Sequence, residues 1–185
     1  MPLIISFVIA FLVAAILVYV ASRKTRDMLP ALELPDGEKL PRAPMQKLAM
    51  GIFLGVSLLT AAATILVAYH GPQVWWDSDP VRLTVTFLLI AGLVVYLGFS
   101  ITVRAWEQRD DGKLDERDLA ILGRASAGVG GAMMVVMAVW MVSLTEAYHD
   151  THLVPSYYLY LIFWSVVMTN VLASLAGILI SYWTR

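Results

Sequence analysis

The histidines of this 185-residue chain fall in two short stretches, His70 in AYHGPQVWWD and His149 with His152 in EAYHDTH. Asp77, Asp79, Glu146 and Asp150 lie close to them in sequence. Imidazole with carboxylate binds zinc, copper or iron, and two histidines on facing helices can ligate a haem. Glu146 and His149 also have the Glu-x-x-His spacing of di-iron helical bundles. The candidate metal set is therefore His70, His149, His152 and Glu146. The competing account needs no ligand: each ring sits at the headgroup level of a membrane, or titrates there as a pH sensor. The triplet Ala68, Tyr69, His70 recurs 79 residues later as Ala147, Tyr148, His149, but Val67 stands where the second copy has Glu146.

Two further groups carry chemical possibilities. Asp115, Glu116 and Asp118 in LDERDLAILGR are paired carboxylates of the kind that serve acid/base catalysis or hold a hard cation. They also fit a capped helix start, with Asp115 as N-cap, Leu114 and Leu119 as a hydrophobic staple, and negative charge at the positive end of the helix dipole. With Arg117 and Arg124 they would form a cytosolic contact surface. Met133, Met137 and Met141 make an i, i+4 stripe of soft thioethers, a copper(I) path in one account and adaptable apolar filler in the other. The chain has no cysteine, which excludes disulfides, thiolate metal sites and covalently attached c-type haem.

The elements that must position these groups are membrane helices. The chain is 59% hydrophobic with 15% charged residues and a mean hydropathy of +0.75, far from an ordinary soluble domain. Five segments, about 3–21, 48–69, 83–103, 125–144 and 157–183, supply the roughly 20 apolar residues needed to cross a bilayer core. Loops 22–47 and 104–124 hold most of the cations, and of all the lysines and arginines only Arg82 lies on the opposite side. The positive-inside rule then puts the amino terminus outside and the carboxyl terminus in the cytoplasm. The first segment has no basic residue before it and SRKTR directly after it, the pattern of a retained anchor. Pro30, Pro35, Pro41 and Pro44 predict an irregular strap for the first loop. Helix three is expected to protrude through RAWEQR, and helix four to begin at Glu116.

The segment LDERDLAILGRASAG, residues 114–128, resembles one shared by small multi-pass prokaryotic membrane proteins of unknown function. They carry an Asp-Glu-Arg motif, an isoleucine soon after, and a basic-then-alanine step into the membrane. Asp115, Glu116, Arg117, Ile121, Arg124 and Ala125 match that pattern. The resemblance implies a prokaryotic inner membrane and no particular reaction.

Inside the spans no acidic, basic or histidine side chain lies near a helix centre, unlike the ion and proton paths of transporters. The most polar central residue is Asn170, expected to make an interhelical hydrogen bond worth roughly 0.6–2 kcal/mol. Gly51 with Gly55, Ala127 with Gly131, and Ala173 with Gly177 have the four-residue spacing that lets helices approach closely. Trp75, Trp76, Tyr157, Tyr158, Trp164 and Trp183 are expected as interfacial anchors.

These observations predict an all-α integral membrane protein forming a single membrane domain. Five transmembrane helices would make up a four-helix bundle core plus an N-terminal helix, the core being a tandem hairpin repeat if the echo is ancestral. The expected function is that of a non-enzymatic assembly or interaction subunit, self-associating or bound to a membrane partner, with no cofactor. A small metal- or haem-binding redox protein using the histidines is the main alternative, and a transporter or channel subunit the other. With a net charge of −1 the chain has no basic field for nucleic acid.

Overall fold

The computed structural model of the protein describes residues 44–109 and 116–183. The apolar segment 3–21, Pro30, Pro35, Pro41, Leu114 and Asp115 lie outside the described residues, as do the side chains of Glu116, Arg117, Arg124 and Ala127.

The described chain is helical throughout its regular structure: α1 (Pro44–His70), α2 (Pro72–Asp77), α3 (Asp79–Arg109), α4 (Glu116–Ala147) and α5 (Tyr157–Trp183). Proline opens α1 and α2, where the missing amide hydrogen costs nothing and the fixed φ suits the first turn. Residues 44–47, read from sequence as part of the strap, are therefore the first turn of α1. The loop read over 70–82 contains the short α2. Gly71, with φ 81° and ψ 156°, makes the break between α1 and α2 in a region open essentially to glycine. After α4 the chain turns through Tyr148 to Thr151 and passes His152, whose φ is 54°.

Four of the helices, α1, α3, α4 and α5, are long and apolar enough to cross a membrane, which is consistent with a multi-pass membrane protein. At 1.5 Å per residue even the 27-residue α1 and α5 extend to about 40 Å, beyond a hydrocarbon core of about 30 Å.

The packing is unequal. In the apolar window of α5, 56% of residues are buried, against 11%, 22% and 24% in α1, α3 and α4, so α5 is the central helix. It is buried on two faces. Met168, Val171, Leu175 and Leu179 join the core shared with α1 and α3, while Ala173 meets Ala132 and Val136 of α4. A helix covered on two sides has no single apolar stripe, so its sequence is apolar nearly all round. The hairpin α1–α3 and the hairpin α4–α5 are each packed internally, and α5 joins them by packing on α1. Gly92 is buried where α3 meets that junction, 3.7 Å from Val56 and 3.9 Å from Met168 measured from the position a Cβ would take.

Candidate functional site

The residues that do most to shape a site lie at the end of the bundle where α1 stops and α5 begins. Gly71 folds α2 back over that end, and Trp75 is completely buried there. Its ring packs 5.6 Å from both Trp76 and Tyr160. Arg82 holds α2 against α3: it donates to the carbonyl of Trp76 at 2.7 Å, pairs with Asp79 and lies 5.4 Å over the Trp76 ring. Thr86 of α3 and Tyr160 of α5 share a hydrogen bond beneath this cap. Trp75 was expected as an interfacial anchor; it is instead a core residue of the cap, because α2 is short and turned inward.

Beside the cap lies a cavity of about 140 Å³. Thr60, Ala63, Thr64, Val67 and Ala68 of α1 form one wall and Trp140 of α4 the other. Tyr158, Leu161, Trp164, Ser165 and Met168 of α5 form its floor, with Val85 and Leu89 of α3 behind them. The cavity exists because α1 and α4 both pack on α5 without packing extensively on each other.

The hydroxyl protons of Thr60, Thr64 and Ser165 are engaged within the protein. Thr60 donates to Met168 Sδ at 3.5 Å, Thr64 to the carbonyl of Thr60 at 2.8 Å, and Ser165 to the carbonyl of Ile162 at 2.8 Å. Ser165 Oγ also accepts the indole N–H of Trp140 at 2.8 Å. Two indole nitrogens at this end, those of Trp164, which is 8% exposed, and of Trp75 in the cap, are buried without a hydrogen-bond partner. A buried donor left unpaired costs about 1–3 kcal/mol. Sequence alone gave no signal for it, since an unpaired indole depends on how three helices meet.

The histidines are arranged differently from a metal centre. His70 ends α1, with its ring 5.1 Å from that of Tyr69. His149 lies in the turn after α4, 78% exposed, with Nδ1 3.3 Å from Asp150. The rings of His149 and His152 are 6.3 Å apart, and Glu146 is exposed near the end of α4. Among the described residues no three His, Cys, Asp or Glu side chains group closely enough to hold a metal ion. The two Ala-Tyr-His triplets also differ in backbone, the first being helical to His70 and the second leaving its helix at Ala147.

At the opposite end Asp118 is 3% exposed and accepts a hydrogen bond from the hydroxyl of Tyr182. It is turned into the α4–α5 interface, whereas Leu119 beside it is exposed.

Of the glycines singled out for packing, Gly177 makes a close approach, against Ala125 of α4. Gly51, Gly55 and Gly131 are exposed, with no atom within 4 Å of where a Cβ would stand. Met137 and Met141 are exposed as well. Asn170, expected to bond across helices, is exposed at the midpoint of α5, and only its carbonyl is engaged, by Ser174 Oγ at 2.8 Å. Compared with known proteins, the chain matches no family model, no curated protein and no solved structure.

Proposed function

We propose that this protein is a non-enzymatic, multi-pass membrane subunit whose role is to assemble, with a second copy of itself as the partner. The observation that carries this reading is Asn170. A carboxamide at the middle of a spanning helix is costly to leave in hydrocarbon, and in the described residues its side chain has no partner. A second copy supplies one in its own Asn170 when this position lies at the two-fold axis of the interface, where a residue meets its equivalent. The unpacked glycines Gly51 and Gly55 give the assembly a second face that admits close backbone approach.

The frame for this reading is five spans, with α1, α3, α4 and α5 as the second to fifth. The cation-rich loops 22–47 and 104–124 are cytoplasmic, and the capped cavity end faces outward. The resemblance of residues 114–128 to small prokaryotic membrane proteins supports a prokaryotic inner membrane. The two hairpins run in the same order and orientation, in keeping with a tandem origin; the central place of α5 against the peripheral α3 is a later asymmetry.

Stepwise photobleaching of the labelled full chain in lipid nanodiscs tests the proposal. The wild type is expected to contain two copies per assembly, and Asn170→Leu to shift it toward one. A wild type that is monomeric at every protein-to-lipid ratio, or an Asn170→Leu variant that dimerises equally well, would sink it.

A further inference from the structure

We propose that the cavity between α1 and α4 is the docking site of the chain's own first apolar segment, residues 3–21, with the phenyl ring of Phe7 as its occupant. The docking rests on the five-span frame proposed above and not on the dimer. The cavity is open between α1 and α4, where Ala68 is exposed and Thr60, Thr64, Val67 and Trp140 are half-buried. No charged side chain lines it, and the hydroxyl protons of Thr60, Thr64 and Ser165 are bound within the protein, so its surface calls for an apolar occupant. At about 140 Å³ it is close to the ~150 Å³ of an engineered cavity that takes up benzene, which is room for one aromatic ring.

Depth selects the ring. Counted at 1.5 Å per residue from the middle of each span, Ala63, Trp140 and Trp164 stand about 7 to 9 Å toward the outer end. Phe7, five residues before the middle of 3–21, reaches the same level at about 7.5 Å on a helix of that rise. A lipid tail is as apolar as the segment, so fit and tethering decide between them. The segment is tied to α1 by 22 residues, which even as a random coil reach about 25 Å, well beyond the 8–10 Å between packed helices. The helix it is tied to is also the least covered of the four, with 11% of its apolar window buried. The wall that α1 offers is built largely of small side chains, Ala63, Thr64 and Ala68 among them, which let another helix come close. Gly51 is nine residues from Thr60 and Asn170 nine from Leu161, about two and a half turns in each case, so a segment seated in the cavity leaves the dimer faces of α1 and α5 open.

The test exploits the absence of native cysteine. In the full chain Thr60→Cys is paired with Ala10→Cys or with Phe11→Cys, the two flanks of the face led by Phe7. The control pairs the same two positions with Leu58→Cys, at a similar depth on the exposed side of α1. A disulfide needs Cβ atoms about 3.5–4.5 Å apart, so a seated segment forms it and a free one does not. A protease site inserted in the loop 22–47 makes a link within one chain visible as full-length protein on a non-reducing gel after cleavage. Copper-phenanthroline oxidation in membranes of the expressing cell is expected to yield that band with Thr60→Cys and not with Leu58→Cys. No band from either Thr60→Cys pair leaves the cavity to lipid and overturns the proposal, as does equal linking in the control. A link that joins two chains gives the cavity to a second copy and overturns it too. The ring itself is read by exchange: Phe7→Ala and Ala63→Phe should each lower the unfolding midpoint in detergent, and the double variant should regain most of the loss. Losses that simply add overturn Phe7 as the occupant. A membrane-impermeant maleimide on Pro2→Cys reads the frame separately. Labelling from outside without a cross-link overturns the docking alone, whereas no labelling from outside overturns the frame and the docking together; neither readout counts copies, so the Asn170 dimer is judged apart from both.

Discussion

Gly177 of α5 and Ala125 of α4 meet so closely that a Cβ on the glycine would stand 3.0 Å from the Ala125 Cα and 3.1 Å from its Cβ and carbonyl oxygen. The obstructing atoms belong mostly to the backbone, so they cannot rotate away. Gly177→Ala must push α4 off α5, and the expected loss is about 1–3 kcal/mol, as for overpacking elsewhere. Gly131→Ala is the matched control, since nothing lies within 4 Å of that position and alanine favours a helix by up to about 1 kcal/mol. Thermal unfolding in detergent should show a lower midpoint for the first variant and an unchanged or higher one for the second. Equal midpoints would mean that the crossing is looser than described.

The buried pair of Asp118 and Tyr182 locks the same two helices at the other level. A hydrogen bond to a carboxylate is worth about 1.5–3 kcal/mol, more than one between neutral groups. Tyr182→Phe leaves the carboxylate short of a donor and is expected to lower stability by about that amount. Asp118→Asn keeps an acceptor oxygen and costs less than Asp118→Leu does. In a double-mutant cycle with Asp118→Leu and Tyr182→Phe the loss in the double variant should fall short of the sum of the two single losses by about 1 kcal/mol or more. Strict additivity in chemical denaturation would show that the hydroxyl and the carboxylate act independently.

Helical spans are legible in this chain because an apolar run of 20 or more residues has one stable use, a helix satisfying its own backbone in lipid. What composition cannot rank is which helix lies at the centre. The segments are similarly apolar, and only packing makes α5 the hub while leaving Gly51, Gly55 and Asn170 outside. Spacing likewise flagged Gly177 and Gly131 equally, although a single helix crossing distinguishes them. Asp118 misleads for the same reason: a carboxylate in a first helical turn suits solvent, and its burial follows from Tyr182, 64 residues later. The cavity had no sequence signature at all, being the space that α1 and α4 leave over α5.

Among the described residues Gly71 is the one glycine whose backbone demands its residue type, with φ 81° and ψ 156°. Nothing lies within 4 Å of its missing Cβ, so any cost of substitution is conformational and not steric against neighbours. Gly71→Ala is expected to destabilise by about 1–3 kcal/mol. Because the strain is local, the first consequence should be loosening of α2, seen as faster hydrogen exchange over residues 72–77 than in α3. Exchange that rises equally in every helix would mean that the link is not an independent hinge.

Ser165 ties α4 to α5 beside the cavity. Its Oγ takes the proton of Trp140 Nε1 at 2.8 Å and passes its own to Ile162, so Ser165→Ala strips the acceptor from an indole on the cavity wall. The loss of that partner is expected to cost about 1–3 kcal/mol. Ser165→Thr keeps the acceptor oxygen and is expected to cost less than Ser165→Ala. Thermal unfolding in detergent should place the Ser165→Ala midpoint below both the wild type and Ser165→Thr. An unchanged midpoint in Ser165→Ala would mean that the Trp140–Ser165 bond does not hold α4 on α5.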